Sequence, residues 1–586
     1  MTEPRDKLMP LGAAIRQHVR PGMHLHFASS PSRSNAAIRE LARAFRGSRP
    51  EFTLSATGFH SMAHLLAILR LGRIYMSCFF GDNYPTPRPN PLYGELVAAG
   101  VELEHWSLFS YVSAFRAGAL GHSYALTNSL SGTTLGDELA YKGRFFEVSD
   151  PRAANKTIGL VSAIRADIAF VHAAAGDRFG HAVASPPYSE GFWGALGAEA
   201  GVIVTVDHLV DSAVCRKYAE WVGIPAHRVL AICHEPFGAH PQPSYVAARG
   251  PNLAGYQDDF EHYELWRRMA TDASLFAEFS RKVLDAEDGS LGYRQFVGEA
   301  RLESLRAPGA ATISRRPLQD LPHPTAAAER HLSANDRLVV LAARTICRRV
   351  VERGYRTILA GIGVSFTAAR LAKWMLDRRG VPVEVMVETG MADVECGPTA
   401  HPFLLASLNM AQAGRLSSVE EVLGTSTCGS QNACLGVLGA AEIDQGGNIN
   451  STRLPSGQLL VGSGGANDIA SSCREVVAVV KCERARLVPK VHYLTSPGKV
   501  VLQIATERCV LSRESAGHSW TIRDLYPTAK SLSDAVREIK SHCGFALADT
   551  APTDWGEAAG ADELLALEAM GRDGPEPTQA PPLGGG

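Results

Sequence analysis

Two stretches far apart in the chain run through the same succession of turn, short apolar strand, bare loop and alanine-bearing helix, which narrows the available folds sharply. In the first, residues 8–20 carry apolar positions at helical spacing and Pro21-Gly22 stops the helix. Met23-His-Leu-His-Phe27 then reads as a strand, Ala28 to Ser34 as a polar loop and Ala36 to Phe45 as an amphipathic helix. In the second, Thr357-Ile-Leu-Ala360 is the strand, Gly361-Ile-Gly-Val-Ser-Phe366 the loop and Thr367 to Asp377 the helix. A shift of 332 positions sets Val351, Gly354, Ala360, Ala368 and Ala369 on the identical residues Val19, Gly22, Ala28, Ala36 and Ala37, while Leu371 and Ala372 fall on Arg39 and Glu40. A second echo, at another offset, pairs Asp177-Arg-Phe-Gly180-His181 with Asp444-Gln-Gly-Gly447-Asn448, each after alanines. The expectation is an α/β chain made of two homologous doubly wound open-sheet domains in tandem.

At 586 residues the chain exceeds what one hydrophobic core organises. The natural division is 1–300 and 331–550. They are joined by a Pro-, Ala- and Arg-rich linker at 301–330, and an acidic, then Pro/Gly-rich segment at 551–586 reads as a disordered tail.

Val383, Val385 and Val387 alternate with Glu384, Met386 and Glu388, the period of a strand, and Thr389-Gly390 ends it in a turn. Glu388 therefore stands at a strand's carboxyl end, where open α/β sheets place their chemistry. Val461-Gly-Ser-Gly-Gly-Ala-Asn-Asp468 is a loop bare enough for backbone N–H groups to approach a ligand. A carboxylate and a set of such donors are what acyl transfer through a carboxylate nucleophile needs. An ordinary solvated side chain is the other reading of a lone Glu at a strand end. Glu395-Cys-Gly397 also satisfies E-x-G but does not follow the valine strand directly.

Glu388-Thr389-Gly390 resembles the E-x-G nucleophile motif of family I coenzyme A transferases, and Gly462-Ser-Gly-Gly-Ala466 resembles their G-x-G-G-A/F oxyanion loop. Asp177 to His181 resembles the family's A-D-x-x-G-N turn. Pro236-Phe-Gly-Ala-His-Pro241 resembles a segment of glutaconate-type α subunits, and Thr495-Ser-Pro-Gly498 the family's T-S-P-G. The likeness covers most of residues 10–545 and points to α- and β-type subunits fused in one polypeptide. It implies two domains of the CoA transferase type, an α-like one on the acid side of the cleft and a β-like one with nucleophile and oxyanion loop. It implies Glu388 as nucleophile with Gly464, Gly465 and Ala466 around the oxyanion, and Gly361, Gly363, Gly390 and Gly462 along the coenzyme A cleft. Ser29, Ser30 and Arg33 replace a glycine-rich acid-binding loop, and Phe79 and Phe80 join them as candidate pocket walls. Coenzyme A is then a substrate and no tightly bound cofactor is needed. The partners are an acyl-CoA and a small carboxylic acid, with a carrier-protein thioester as a variant donor, and homo-oligomers are common in the family. Hydrolysis or decarboxylation of an acyl-CoA, and non-catalytic acyl-CoA binding, are the competing readings.

Lys+Arg of 58 against Asp+Glu of 60 gives a net charge of −2 without like-charge blocks, which argues against nucleic acid as a partner. The opening M-T-E-P-R-D-K-L-M-P lacks a signal peptide's apolar core and no run of about eighteen apolar residues occurs, so a cytoplasmic protein without membrane contact is expected. Eleven scattered cysteines do not form a disulfide framework, and Cys428 and Cys434 read as structural or pocket-lining. His234, Glu235 and His240 are close in sequence, but Pro236 breaks any helix that would align them, so no metal is expected. Phe366 stands where a dinucleotide fingerprint needs its third glycine. Arg33 also reads as a plain surface-loop residue, and the aromatic run around Tyr75–Tyr93, with Trp106, Phe109 and Tyr111, as core.

Overall fold

The computed structural model describes the chain except residues 1–4, 30, 154, 247–252, 307–331, 398–399, 529, 550–551, 553–554 and 571–586. Two open sheets organise it. The strands of the first are β1 (His24–Phe27), β2 (Phe52–Ser55), β3 (Gly72–Ser77), β4 (Glu102–His105), β5 (Ile168–Gly176), β6 (Gly201–Leu209) and β7 (Val229–His234). Those of the second are β8 (Thr357–Ala360), β9 (Glu384–Met386), β10 (Cys434–Gly439), β11 (Glu475–Val479), β12 (Val501–Ala505), β13 (Cys509–Ser512) and β14 (Thr521–Leu525).

The strand orders are β7-β6-β5-β1-β2-β3-β4 and β9-β8-β10-β11-β12-β13-β14. All pairs along the first path are parallel, as are those from β9 to β12; β13 and β14 add antiparallel. Laid over one another, β2-β1-β5-β6-β7 and β9-β8-β10-β11-β12 have the same connectivity, so the repeat in the sequence is a repeat in the fold. Helices shield both faces of such sheets, and central strands become apolar throughout: every residue of β5 is buried.

The matched positions have matched conformations. Gly22 and Gly354, each between a helix and the strand that follows, have φ of 84° and 67°, a region that a side chain disfavours. Asp177 and Asp444 build the same turn. The Asp177 carboxylate accepts from the His181 N–H at 3.0 Å, that of Asp444 from the Asn448 N–H at 3.0 Å, and Gly180 and Gly447 both have positive φ. The helices after β1 and β8 run Asn35–Phe45 and Val364–Arg378, a residue or a turn longer than their apolar patterns predict.

Each half has a core of its own, and a further cluster is built from both. Trp106, Leu108, Tyr111 and Phe115 of the first pack in one cluster with Leu359, Val422, Leu438 and Ile469 of the second. Trp106 and Tyr111 are thus core, as is Phe80, whose ring stacks on Phe59 at 5.6 Å. Two boundaries differ from expectation. Arg301 belongs to the helix Glu299–Leu305, and the linker from 307 on lies outside the described residues. The segment 551–586 is not a uniform disordered tail, because Ala561–Ala569 is a helix. Its Ala566, Leu567 and Met570 are buried in the cluster around the Val364–Arg378 helix, Leu564 is buried as well, and Arg344 grips Glu563 at 2.6 and 2.7 Å. The acidic composition concealed an apolar stripe. Residues 571–586 lie outside the described part. Among the described residues no helix is long and apolar enough to cross a membrane.

The C-terminal helix is accordingly part of the folded unit. Leu567→Ala, within the core cluster of the second half, is expected to destabilise the protein by about 2–3 kcal/mol, read as a lower urea midpoint; an unchanged midpoint would mean that this helix does not contribute to that core.

Candidate active site

Glu388 follows β9 directly, as the alternation predicted. Val387 pairs with Met391 across the turn, the Gly390 N–H returns to the Val387 carbonyl at 3.1 Å, and Gly390 has φ 109°. A Cβ at Gly390 would meet the Ser417 carbonyl oxygen at 2.5 Å, so the second glycine of the motif is required twice, by the turn and by the neighbouring backbone.

The glycine loop closes over this carboxylate. A Cβ on Gly465 would lie 2.0 Å from Glu388 Oε2, and one on Gly464 3.8 Å from Oε1. The Gly465 backbone lies near enough to the Glu388 carboxylate for its amide to favour the charged form. Gly464 and Ala466 use theirs inside the fold, to the Cys78 and Ser463 carbonyls, both at 2.9 Å. The three amides named from sequence as oxyanion donors therefore divide: Gly465 faces the carboxylate, while Gly464 and Ala466 shape the loop. Gly462, with φ 99°, stands 2.8 Å in Cβ terms from the Cys78 carbonyl and lets the loop pass against β3.

Asp468, which sequence reasoning did not single out, sits two residues beyond Ala466 and is buried. It accepts from Ser107 Oγ at 2.7 Å, Ser129 Oγ at 2.5 Å and the Phe109 N–H at 2.9 Å, all from the first half. Burial lifts its carboxyl to about 6 despite those bonds. Burial, and then the charge of Asp468, push Glu388 up to about 7 against the Gly465 amide. The side chain of Glu388 remains partly accessible, but its carboxyl is desolvated by the groups around it.

Gly361 and Gly363 follow β8, and the glycine loop lies between β10 and β11, so they flank the point where the chain order of the second sheet reverses. A Cβ on Gly363 would meet Thr86 and Pro87 of the first half at 3.6–3.8 Å. Ser29 and Arg33 line a cavity of about 100 Å³ whose wall also includes Thr389, next to the nucleophile candidate. Arg33 is 2% exposed, not a surface-loop residue. Ser30 lies outside the described residues. Neither Phe79 nor Phe80 is part of that wall: Phe80 is core and the Phe79 ring meets His60 edge-on.

Glu395 closes on itself, accepting the Cys396 and Gly397 N–H groups at 3.1 and 3.0 Å in a separate open groove. His234, Glu235 and His240 do not converge: His234 bonds the Asp207 carbonyl and His240 bonds Tyr293 and Asp259. His240, Asp259 and His262 do come together, but Arg301 already places its guanidinium on both Asp259 oxygens at 2.8 and 3.1 Å and supplies the cation.

Known proteins bear out the family reading. The model of the coenzyme A transferase family matches residues 9–229 and 424–528, together more than half of the chain. One of the two subunits of the 3-oxoadipate CoA-transferase of Pseudomonas knackmussii is 27% identical over 215 residues, 33% of this chain and 78% of that protein. A subunit of the glutaconate CoA-transferase of Acidaminococcus fermentans is 28% identical over 167 residues, 27% of this chain and 59% of that protein. Among solved structures, an acyl-CoA transferase of Escherichia coli O157:H7, as its thioester complex with CoA, superposes with a TM-score of 0.63 over 97% of this chain and 98% of that one, at 13% identity. With its two sheets, its E-x-G turn and its glycine loop, the chain belongs to the coenzyme A transferase family.

Proposed function

We propose that this enzyme moves coenzyme A between an acyl-CoA and a carboxylic acid through a covalent glutamyl-CoA thioester on Glu388. The observation that carries the reading is the close approach of the glycine loop to the Glu388 carboxylate, where a Cβ on Gly465 would lie 2.0 Å from Oε2. In the first step a Glu388 oxygen attacks the thioester carbonyl. The carbonyl oxygen takes the negative charge and accepts the Gly465 N–H, and collapse expels CoA thiolate and leaves an acyl-glutamyl anhydride. The thiolate then attacks the glutamyl carbonyl, releasing the first acid as its carboxylate and leaving glutamyl-CoA. The second acid reverses both steps, so charge and protons balance over the cycle. Gly361, Gly363, Gly390 and Gly462 give the coenzyme a backbone-lined path, and Ser29 and Arg33 stand on the acid's side.

Burial strengthens the nucleophile by removing water from it and also limits how much of it is ionised at neutral pH. Hydrolysis differs only in whether water reaches the anhydride. Loss of a single oxyanion donor costs about a hundredfold or more in rate, which is the scale of the contribution asked of Gly465.

Intact-mass measurement after incubation with short acyl-CoAs tests the covalent route. A CoA-sized adduct, reducible by borohydride, is expected on the wild type and absent from Glu388→Ala; free CoA released at equal rates by both proteins would overturn it. The rate of adduct formation is expected to rise with pH through an apparent pKa of about 7, and Asp468→Asn, which removes a neighbouring charge, to lower that midpoint. A flat profile from pH 5 to 8 would contradict the assignment. Because the folded carboxyl is raised above its ordinary 4.5, the native state holds the proton longer than the unfolded chain. Stability conferred by the neutral form is therefore present below pH 4.5 and lost as pH rises to about 7. Glu388→Gln should be more stable than wild type above that window by about 1–3 kcal/mol, discounted for partial exposure, with the difference vanishing near pH 4 in urea titrations.

A further inference from the structure

Apart from the two large sheets, the strands Tyr124–Thr127, Phe145–Ser149 and Thr157–Ser162 form a small antiparallel sheet with the last of them in the middle. Its inner face is core: Phe145 and Val161 are buried in one cluster with Leu130, Leu135 and Leu139. An antiparallel sheet covered on one side normally turns polar residues to the other. Here the alternation turns out Tyr124 and Leu126, Phe146 and Val148, and Ile158, Leu160 and Ser162, of which only the serine is polar. The register sets Leu126 and Phe146 on either side of Leu160 and Val148 opposite Ile158. The Tyr124 and Phe146 rings meet edge-on at 5.7 Å across the central strand, so the three strands present one continuous apolar surface.

Single exposed apolar residues are ordinary, but contiguous ones are not. Tyr124, Leu126, Phe146 and Val148 are 48, 68, 40 and 42% exposed, four of the ten large apolar side chains most open to solvent among the described residues. With the half-buried Ile158 and Leu160 between them they make a patch on the order of 400 Å², a size that marks an interaction site. A pleated face lacks the concavity that a small ligand needs. It also carries no lysine or arginine with which to meet a phosphate backbone or an anionic lipid surface.

What an apolar sheet face fits is another apolar sheet face, packed about 10 Å away with strands within about 30°. A second copy of this chain offers that surface with the same composition, and a two-fold axis lays the patch on itself. A stable interface buries about 800 Å² on each partner, somewhat more than half of it apolar; the patch alone supplies most of that apolar share. Asp150, Arg152 and Lys156, in the connection between the outer strand Phe145–Ser149 and the central one, give the rim both signs of charge. The contact would also continue an interface the fold already uses, because the inner face of this sheet belongs to the cluster shared by the two halves.

We infer that the outer face of this three-stranded sheet joins two copies of the chain about a two-fold axis, forming a six-stranded sandwich. The dimer contact lies just outside the joint that holds the site. Two residues beyond the strand Tyr124–Thr127, Ser129 donates to Asp468, and the Leu130 N–H donates to Asn467 Oδ1 at 3.0 Å.

Sedimentation velocity on the full chain at micromolar concentration is expected to give an even number of chains per particle. Leu126→Asp and Val148→Lys each set like charges against one another across a two-fold contact. Either is expected to halve the particle mass and to weaken self-association about a hundredfold or more. Both positions are exposed, so each variant should keep the wild-type urea midpoint measured at a concentration where both proteins are monomeric; if one fails to fold, the other decides. A wild type of single-chain mass, or folded variants that keep the wild-type mass, would overturn the inference. If residues 307–331 of the same chain cover the face, the wild type is monomeric and a zero-length cross-link joins Lys156 to Asp320 or Glu329, which overturns it as well.

Discussion

The buried carboxylate of Asp468 ties the molecule together at the place where its chemistry sits. It is carried by the helix that begins at the glycine loop, and its hydrogen-bond donors all come from the other half: two serine hydroxyls and the backbone N–H of Phe109. A buried carboxylate with three donors tolerates little displacement. Hence the glycine loop, the end of β3 that it crosses at Cys78 and the helix starting at Leu108 form one rigid assembly. Burial raises the pKa of Glu388, and the charge of Asp468 adds to that shift. One side chain therefore docks the halves and tunes the candidate nucleophile.

Around that joint the cleft has two electrical ends. On the side of Glu388 and Asp468 the fold gathers buried acids and brings the Gly465 backbone against one of them. On the side of Arg33 it buries a cation among neutral acceptors. Each end alone is a poor arrangement for a protein interior. Both halves of the chain contribute walls to each end, which explains why the two doubly wound units share a hydrophobic cluster in place of an ordinary domain interface.

Much of this was readable from residues alone wherever the determinant is local. The alternation at Val383–Val387 placed Glu388 at a strand end, and the turn at Gly390 followed from a neighbour in sequence. The repeat was visible because Gly22 and Gly354, and Asp177 and Asp444, solve the same local backbone problem with the same residue type. The aromatic residues Trp106 and Tyr111 behaved as their size suggests. What escaped was set by partners hundreds of positions away. Asp468 looked like one more polar residue after a glycine loop until Ser107 and Ser129 surrounded it. Arg33 in a serine-rich loop had the composition of a surface residue, and only its enclosure by Asn35, Gly58 and His60 removed it from water. The helix Ala561–Ala569 was hidden by acidic composition, because three apolar residues matter only once a face exists to receive them.

By itself, then, the sequence determined the order of strands, loops and helices, the tandem duplication, and the position of the carboxylate and the glycine loop, since backbone stereochemistry and side-chain period act over a few residues. The tertiary structure decided which residue of that loop lies against the Glu388 carboxylate, which acid adds to the burial that raises it, and that Arg33 is enclosed among neutral acceptors. Those are properties of burial and of opposed charges, and both arise only when segments distant in the chain exclude water from one another.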